Sequence, residues 1–198
     1  MDERLIRAET IVFDVGNVLL TFDPEQVITL FPPEHRAALM PVMFGERHLW
    51  ARFDVGTESN EEVARRIARE ADVPEGEKMV LYALHHFYET MRPLPLYDLL
   101  PDLRRMGKRT FALTNYPEPS FALTCRAYPR LREQMDGAVV SARERAVKPD
   151  PVIFHRLMER YRVQPEKTLF IDDTAANVQA ASQLGFQVWH YAGDDRIW

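Results

Sequence analysis

Hydrophobic residues follow two patterns along this chain. Short runs rich in β-branched and aromatic residues occur at Ile11-Val12-Phe13, Thr110-Phe111-Ala112-Leu113-Thr114, Gly137 to Val140, Thr168-Leu169-Phe170-Ile171 and Gln187 to Trp189. Each is too short for a helix and lacks strict alternation, which predicts interior strands of a parallel sheet. Elsewhere apolar positions recur at helical spacing. Val152, Ile153, Leu157 and Tyr161 form one face behind Asp150-Pro151, a cap followed by proline at the first helical position. Ala175 to Leu184 closes on Gly185, and Leu96 to Met106 closes on Gly107, with Pro101 expected to kink or restart that helix.

From Thr21 to about Met91 strand patterning is missing and the spacing predicts only helices. Candidates run from Pro24 to Leu30, from Pro33 to Phe44 with Gly45 at the end, and from His48 to Val55 with Gly56 at the end. In the last of these Leu49, Trp50 and Phe53 share a side. Ser59-Asn60-Glu61-Glu62 is a capping-box sequence, followed by Val63, Ile67 and Ala71 on one face. A further helix from Glu75 to Glu89 carries Val80, Leu84 and Phe87 or Tyr88. Strand and helix alternate in the second half, which implies an α/β fold with right-handed crossovers. The expected architecture is a Rossmann-like parallel sheet flanked by helices, with an all-helical insertion after the first strand. Residues 1–22 and 92–198 make the discontinuous core and 23–91 the insertion.

Composition narrows the partners. The chain has 198 residues and a formal net charge of −5, which argues against nucleic acid and anionic membrane surfaces. The single cysteine, Cys125, excludes an intrachain disulfide and suits a reducing, cytoplasmic setting. Asp14 and Asn17 interrupt the first apolar run, so it reads neither as a signal peptide nor as a membrane span.

The chemistry sits where strands end. Asp14 follows the first strand, Thr114-Asn115 ends the second, and Asp172-Asp173 ends the fourth. Gly16 and Asn17 then break the first strand, and both residue types tolerate a left-handed backbone. Lys148 precedes Pro149, which favours an extended loop conformation. Taken singly, each is what a cap, a turn or a solvated loop would give. Together they lie at the carboxyl ends of parallel strands, where open α/β sheets bind ligands. If those ends are neighbours, carboxylates about 4 Å apart repel by roughly 4 kcal/mol at an effective dielectric near 20. One lysine does not offset three of them, so the site holds protons or a cation, and Mg²⁺ suits oxygen ligands completed by a phosphate.

These motifs resemble those of the haloacid dehalogenase-like hydrolases over the whole core. Asp14 in Phe-Asp-Val-Gly-Asn-Val-Leu is similar to the nucleophile motif, and Thr114 in Ala-Leu-Thr-Asn to the second motif. Lys148 in Val-Lys-Pro-Asp-Pro is similar to the third, and Phe170-Ile171-Asp172-Asp173 with Asn177 to the acidic fourth. The insertion, through Phe44-Gly45-Glu46 and Asp54 to Ser59, resembles the cap of a subgroup that includes bacterial α-glucose-1-phosphate phosphatases and the phosphatase domains of epoxide hydrolases. The resemblance implies a Mg²⁺-dependent phosphatase acting on a small-molecule phosphate ester, with sugar phosphates favoured. Asp14, Thr114 and Lys148 are then catalytic. Val15, Gly16 and Asn115 surround the phosphoryl group. Asp14, the Gly16 carbonyl, Asp172 and Asp173 are the metal residues, with Asn177 orienting the acidic loop.

One position departs from the family pattern. Most phosphatases of the superfamily carry a second aspartate, a general acid and base, where this chain has Gly16. Either the substrate has a good leaving group, or a cap residue among Glu46, His48, Asp54 and Glu58 substitutes, or the protein is slow. Two alternatives follow: a 2-haloacid dehalogenase using the same nucleophile without metal, and a catalytically silent phosphate-binding module.

Overall fold

The computed structural model describes residues 2–193. Five strands form one parallel sheet: β1 (Thr10–Phe13), β2 (Arg109–Thr114), β3 (Gly137–Val140), β4 (Thr168–Asp172) and β5 (Gln187–His190). Their order is β3-β2-β1-β4-β5. β1 is central and buried on both faces. Phe13 pairs with Ala112 on one side and Ile171 on the other, so β1, β2 and β4 end side by side. The chain builds outward from β1 to β3, then returns to the other flank for β4 and β5. This reversal makes the crevice beside β1 a topological switch point.

Alternate residues of the strands divide the core. Ile11, Phe13, Ala112, Val140 and Ile171 belong to one apolar cluster, and Val12, Phe111, Leu113, Val139 and Phe170 to the other. The second cluster is completed by Ile153, Phe154 and Leu157 of the helix Pro151–Tyr161 and by Ala181 of the helix Ala175–Gln183. The first is continuous with the segment between β1 and β2, through Val63, Ile67, Val80 and Leu84. That segment contains helices and no strand from Pro24 to Thr90. Its capping box forms as expected: Ser59 Oγ accepts from the Glu62 amide at 3.2 Å, and the Glu62 carboxylate accepts from the Ser59 amide at 2.9 Å.

Several elements differ from expectation. The helix before Gly56 covers only Ala51–Val55, because His48 has a left-handed backbone with φ 43°. Gly76–His86 is α-helical, and Phe87–Thr90 tightens to a 3₁₀ turn. Pro101 lies inside one helix, Pro95–Arg105, and does not restart it. Of Gly16 and Asn17, only Asn17 is left-handed, with φ 54°. The helices Glu3–Arg7, Ser120–Ala127, Arg130–Glu133 and Ser141–Glu144 had no counterpart in the sequence pattern. Among the described residues no helix is long and apolar enough to cross a membrane.

Candidate active site

The parallel ladder extends one residue past β1, where the Asp14 amide donates to the Ile171 carbonyl at 2.9 Å. That bond fixes where the Asp14 side chain leaves the sheet. Asp14 Oδ1 accepts from the Val15 amide at 2.7 Å and stands 3.0 Å from Lys148 Nζ. Lys148 also donates to Asp172 Oδ2 at 2.6 Å. The lysine side chain is fully buried between two carboxylates that come from different strands.

The supporting contacts explain this placement. Asn115, at the end of β2, clamps the Lys148 backbone twice: its Nδ2 donates to the Lys148 carbonyl at 3.0 Å, and its Oδ1 accepts from the Lys148 amide at 2.8 Å. Asn177 donates to both oxygens of Asp172, at 3.0 and 3.2 Å, and the Thr174 amide donates to Oδ1 at 2.8 Å. Asp172 is thus saturated with donors. Asp173 is half-buried, with its carbonyl 2.9 Å from His190 Nε2. One oxygen from each of Asp14, Asp172 and Asp173 lies within 4.8 Å of the others. Thr114 Oγ1 is buried beside Asp14, close enough to favour its carboxylate, yet reaches full hydrogen-bond geometry with no group among the described residues.

Electrostatics follow from the crowding. Burial pushes the Asp14 carboxyl above the usual carboxylate range, Asp172 and Asp173 add to the shift, and Lys148 opposes it. Asp173 is raised by burial and by Asp172. Burial alone would lower the Lys148 ammonium, but Asp14 and Asp172 outweigh it and hold its pKa above the ordinary value. The lysine therefore stays charged across the physiological range, and the acidic cluster has a surplus of negative charge.

A cavity of about 170 Å³ opens over this cluster. Asp14, Gly16, Asn17, Asn115 and Asp173 form its polar end. Phe22, Trp50, Phe87, Met91 and Tyr116 form an aromatic and apolar wall, with Trp50 and Phe87 rings 5.5 Å apart. Asp54 and His48, both from the helical segment, and Pro117 complete the lining. Burial, with Asp14 adding to it and Lys148 opposing, pushes the Asp54 carboxyl up to about 8.

The site residues expected from the sequence gather at one end of the sheet, with two refinements. The Asn115 side chain is committed to the Lys148 loop, so only its backbone remains free to meet a ligand. The Val15 amide is bonded to the nucleophile candidate itself. Sequence reasoning missed Phe22, Phe87 and Tyr116 as wall residues, because each reads as ordinary core and no periodicity marks which ring faces a cavity. Phe53 and Trp189 pack in the core. Cys125 is half-buried with its thiol pushed up to about 11 by burial, in keeping with a packing role.

A family model for the haloacid dehalogenase-like hydrolases matches residues 8–185. The chain is 25% identical to the sesquiterpene phosphatase AstK of Aspergillus oryzae, over 90% of this chain and 87% of that protein. It is 27% identical to acyl-CoA dehydrogenase family member 10 of Mus musculus over 88% of this chain, which spans only 17% of the mouse protein. Among solved structures, a variant of a HAD family enzyme from Bacteroides thetaiotaomicron, in complex with magnesium and inorganic phosphate, aligns with a TM-score of 0.80 at 20% identity over 96% of both chains.

Proposed function

The chain belongs to the haloacid dehalogenase-like hydrolases, and from that premise we propose that it is a Mg²⁺-dependent phosphatase of small phosphate monoesters. The observation that carries this reading is the clustering of the Asp14, Asp172 and Asp173 carboxylates, with one buried lysine bridging the first two. Fully ionised, three carboxylates and one ammonium leave a formal charge of −2, equal and opposite to one divalent ion. A hard cation with oxygen ligands suits that donor set. The same surplus weighs against a metal-free dehalogenase, and the intact set of Asp14, Thr114 and Lys148 weighs against a silent binding module.

In this mechanism Asp14 is the nucleophile. A carboxylate oxygen attacks phosphorus, the bond to the leaving oxygen breaks, and an aspartyl-phosphate forms on Asp14. Lys148 holds Asp14 in place and offsets its charge. The Thr114 hydroxyl, beside Asp14 and short of full hydrogen-bond geometry, is the side-chain donor for a phosphoryl oxygen. Asp14, Asp173 and the Gly16 carbonyl, which takes no backbone hydrogen bond among the described residues, would hold the metal, with Asp172 acting from behind through Lys148 and Asn177. A Mg²⁺ ion held there would supply neutralisation of the phosphoryl charge.

Residues 23–91 serve as the cap over the core formed by 1–22 and 92–198, and the wall made by Trp50, Phe87 and Met91 of the cap with Phe22 and Tyr116 of the core receives the leaving group. The small cavity favours a compact substrate with an apolar face and a few hydroxyls, a class that includes sugar phosphates. Phosphate release from a panel including α-glucose 1-phosphate, with Mg²⁺ and with EDTA, tests the reading. Metal-dependent release that disappears in Asp14→Asn is expected. A wild-type rate in Asp14→Asn removes the nucleophile assignment.

A further inference from the structure

The proposed reaction leaves one task unassigned. The leaving oxygen needs a proton, and the water that later attacks the aspartyl-phosphate must lose one. Gly16 has no side chain to do either. Four residues of the helical segment are chemically able: Glu46, His48, Asp54 and Glu58. Their environments separate them. Glu46 is exposed and does not line the cavity. Glu58 is committed to ion pairs with Arg52 and Arg66. His48 lines the cavity but is exposed on a left-handed turn.

Asp54 differs from all three. It lines the same cavity as Asp14, beside Trp50 and Tyr116. Its side chain makes no hydrogen bond or ion pair among the described residues, so nothing in the fold accounts for a half-buried carboxyl at this place. The charges acting on it are those of Asp14 and Lys148. Burial and Asp14 both favour its neutral form, which is the form able to give a proton.

The backbone holds Asp54 against the core. Ser141 Oγ donates to the Asp54 carbonyl at 2.6 Å and accepts from the Tyr116 amide at 2.9 Å. Two residues on, Gly56 is left-handed with φ +66°, and a Cβ there would stand 2.3 Å from the Ala142 carbonyl oxygen. The helical segment is thus pressed onto the Ser141–Glu144 helix next to Asp54. The backbone that carries this carboxyl, part of the insertion by sequence, is thereby tied to the core.

We infer that Asp54 is the residue that protonates the leaving oxygen and then deprotonates the hydrolytic water. The inference rests on the phosphatase reading. In the first step Asp14 bonds to phosphorus, the P–O bond to the leaving group breaks, and the Asp54 carboxyl proton moves to the departing oxygen. The products are an alcohol, the aspartyl-phosphate and an Asp54 carboxylate. In the second, water attacks phosphorus, its proton moves to Asp54, and the bond from phosphorus to Asp14 breaks. Inorganic phosphate leaves, and both aspartates return to their starting states.

Leaving-group dependence tests this role. Wild-type protein and Asp54→Asn are compared with Mg²⁺ on glycerol phosphate, whose alkoxide needs a proton, and p-nitrophenyl phosphate, whose phenolate does not. Asp54→Asn is expected to lose about 10²–10⁴-fold on glycerol phosphate. On p-nitrophenyl phosphate it is expected to give a burst of nitrophenolate stoichiometric with protein, then slow turnover, with the protein gaining the mass of one phosphoryl group. Equal single-turnover losses on both substrates, or no loss on either, overturn the role of Asp54. Asp54→Ala repeats the test and separates loss of the carboxyl from any effect of the new amide. If the wild-type protein releases phosphate from neither compound, the phosphatase reading falls, and this inference with it.

Discussion

Lys148→Met is the most informative perturbation of the site's stability. The ammonium stands 3.0 Å from Asp14 Oδ1 and 2.6 Å from Asp172 Oδ2. At an effective dielectric of 20 those separations correspond to gross attractions of about 5.5 and about 6.4 kcal/mol. Most of that offsets the desolvation of three charged groups, so the sum is not the net stabilisation. Removing one partner is different, because the carboxylates stay buried without their cation. The expected cost is about 3–5 kcal/mol. Methionine matches the lysine stem in apolar bulk, so little of this loss comes from a cavity.

The carboxylates have one escape, which is to take up protons. Asp14 is already raised above its ordinary value despite Lys148, and losing the lysine raises it further. A raised folded-state pKa means the native protein binds more protons than the unfolded chain over the window between the two values. Stability of the variant then falls as pH rises, by up to about 1.4 kcal/mol per pH unit for each such proton. Urea unfolding of both proteins in EDTA measures this, and subtraction cancels the shared pH dependence. The deficit is expected to be largest near pH 8 and smaller by a few kcal/mol near pH 5. A deficit below about 1 kcal/mol near pH 8, or one independent of pH, would refute the reasoning.

Three other outcomes are expected. Thr114→Val replaces a buried hydroxyl that is short of full hydrogen-bond geometry by a methyl group, so thermal stability should hold to within about 1 kcal/mol while turnover falls about 10²–10³-fold; a large loss of stability would show that the contact with Asp14 is structural. Mg²⁺ should raise the melting temperature relative to EDTA, by about 2.7 kcal/mol of stability at a hundredfold excess over its dissociation constant, and Asp173→Asn should blunt the rise; equal melting curves in the two proteins would remove Asp173 as a ligand. Gly56→Ala and Gly107→Ala both place a side chain at positive φ, but only the first meets a neighbour within 4 Å. The Gly56 variant should therefore lose about 1–3 kcal/mol more in urea unfolding, and similar losses would mean the Ala142 contact relaxes freely.

Much of this molecule is legible from local chemistry. The strand runs are apolar on both faces because a parallel sheet is covered on both sides. The helix Asn60–Glu70 announces itself through a capping box that satisfies its own amides. The candidate site residues could be named because Asp14, Thr114-Asn115 and Asp172-Asp173 all stand where strands stop. The short helices Arg130–Glu133 and Ser141–Glu144 could not be read this way. Four-residue helices have no face to display and too few bonds to offset nucleation.

What the sequence determined by itself was the inventory: strands, caps, and the identity of the polar residues at strand ends. Those depend on neighbours within a few positions, and local sterics and hydrogen bonding decide them. Only the tertiary structure decided adjacency. It placed β2 and β4 on either side of β1, put Lys148 between Asp14 and Asp172, and gave the Asn115 side chain to the lysine's own loop. It also tied the backbone at Asp54 to the core, through a hydroxyl on Ser141 and a close backbone approach at Gly56. Those contacts join residues far apart in the chain, and their free energy exists only once the sheet has closed around β1.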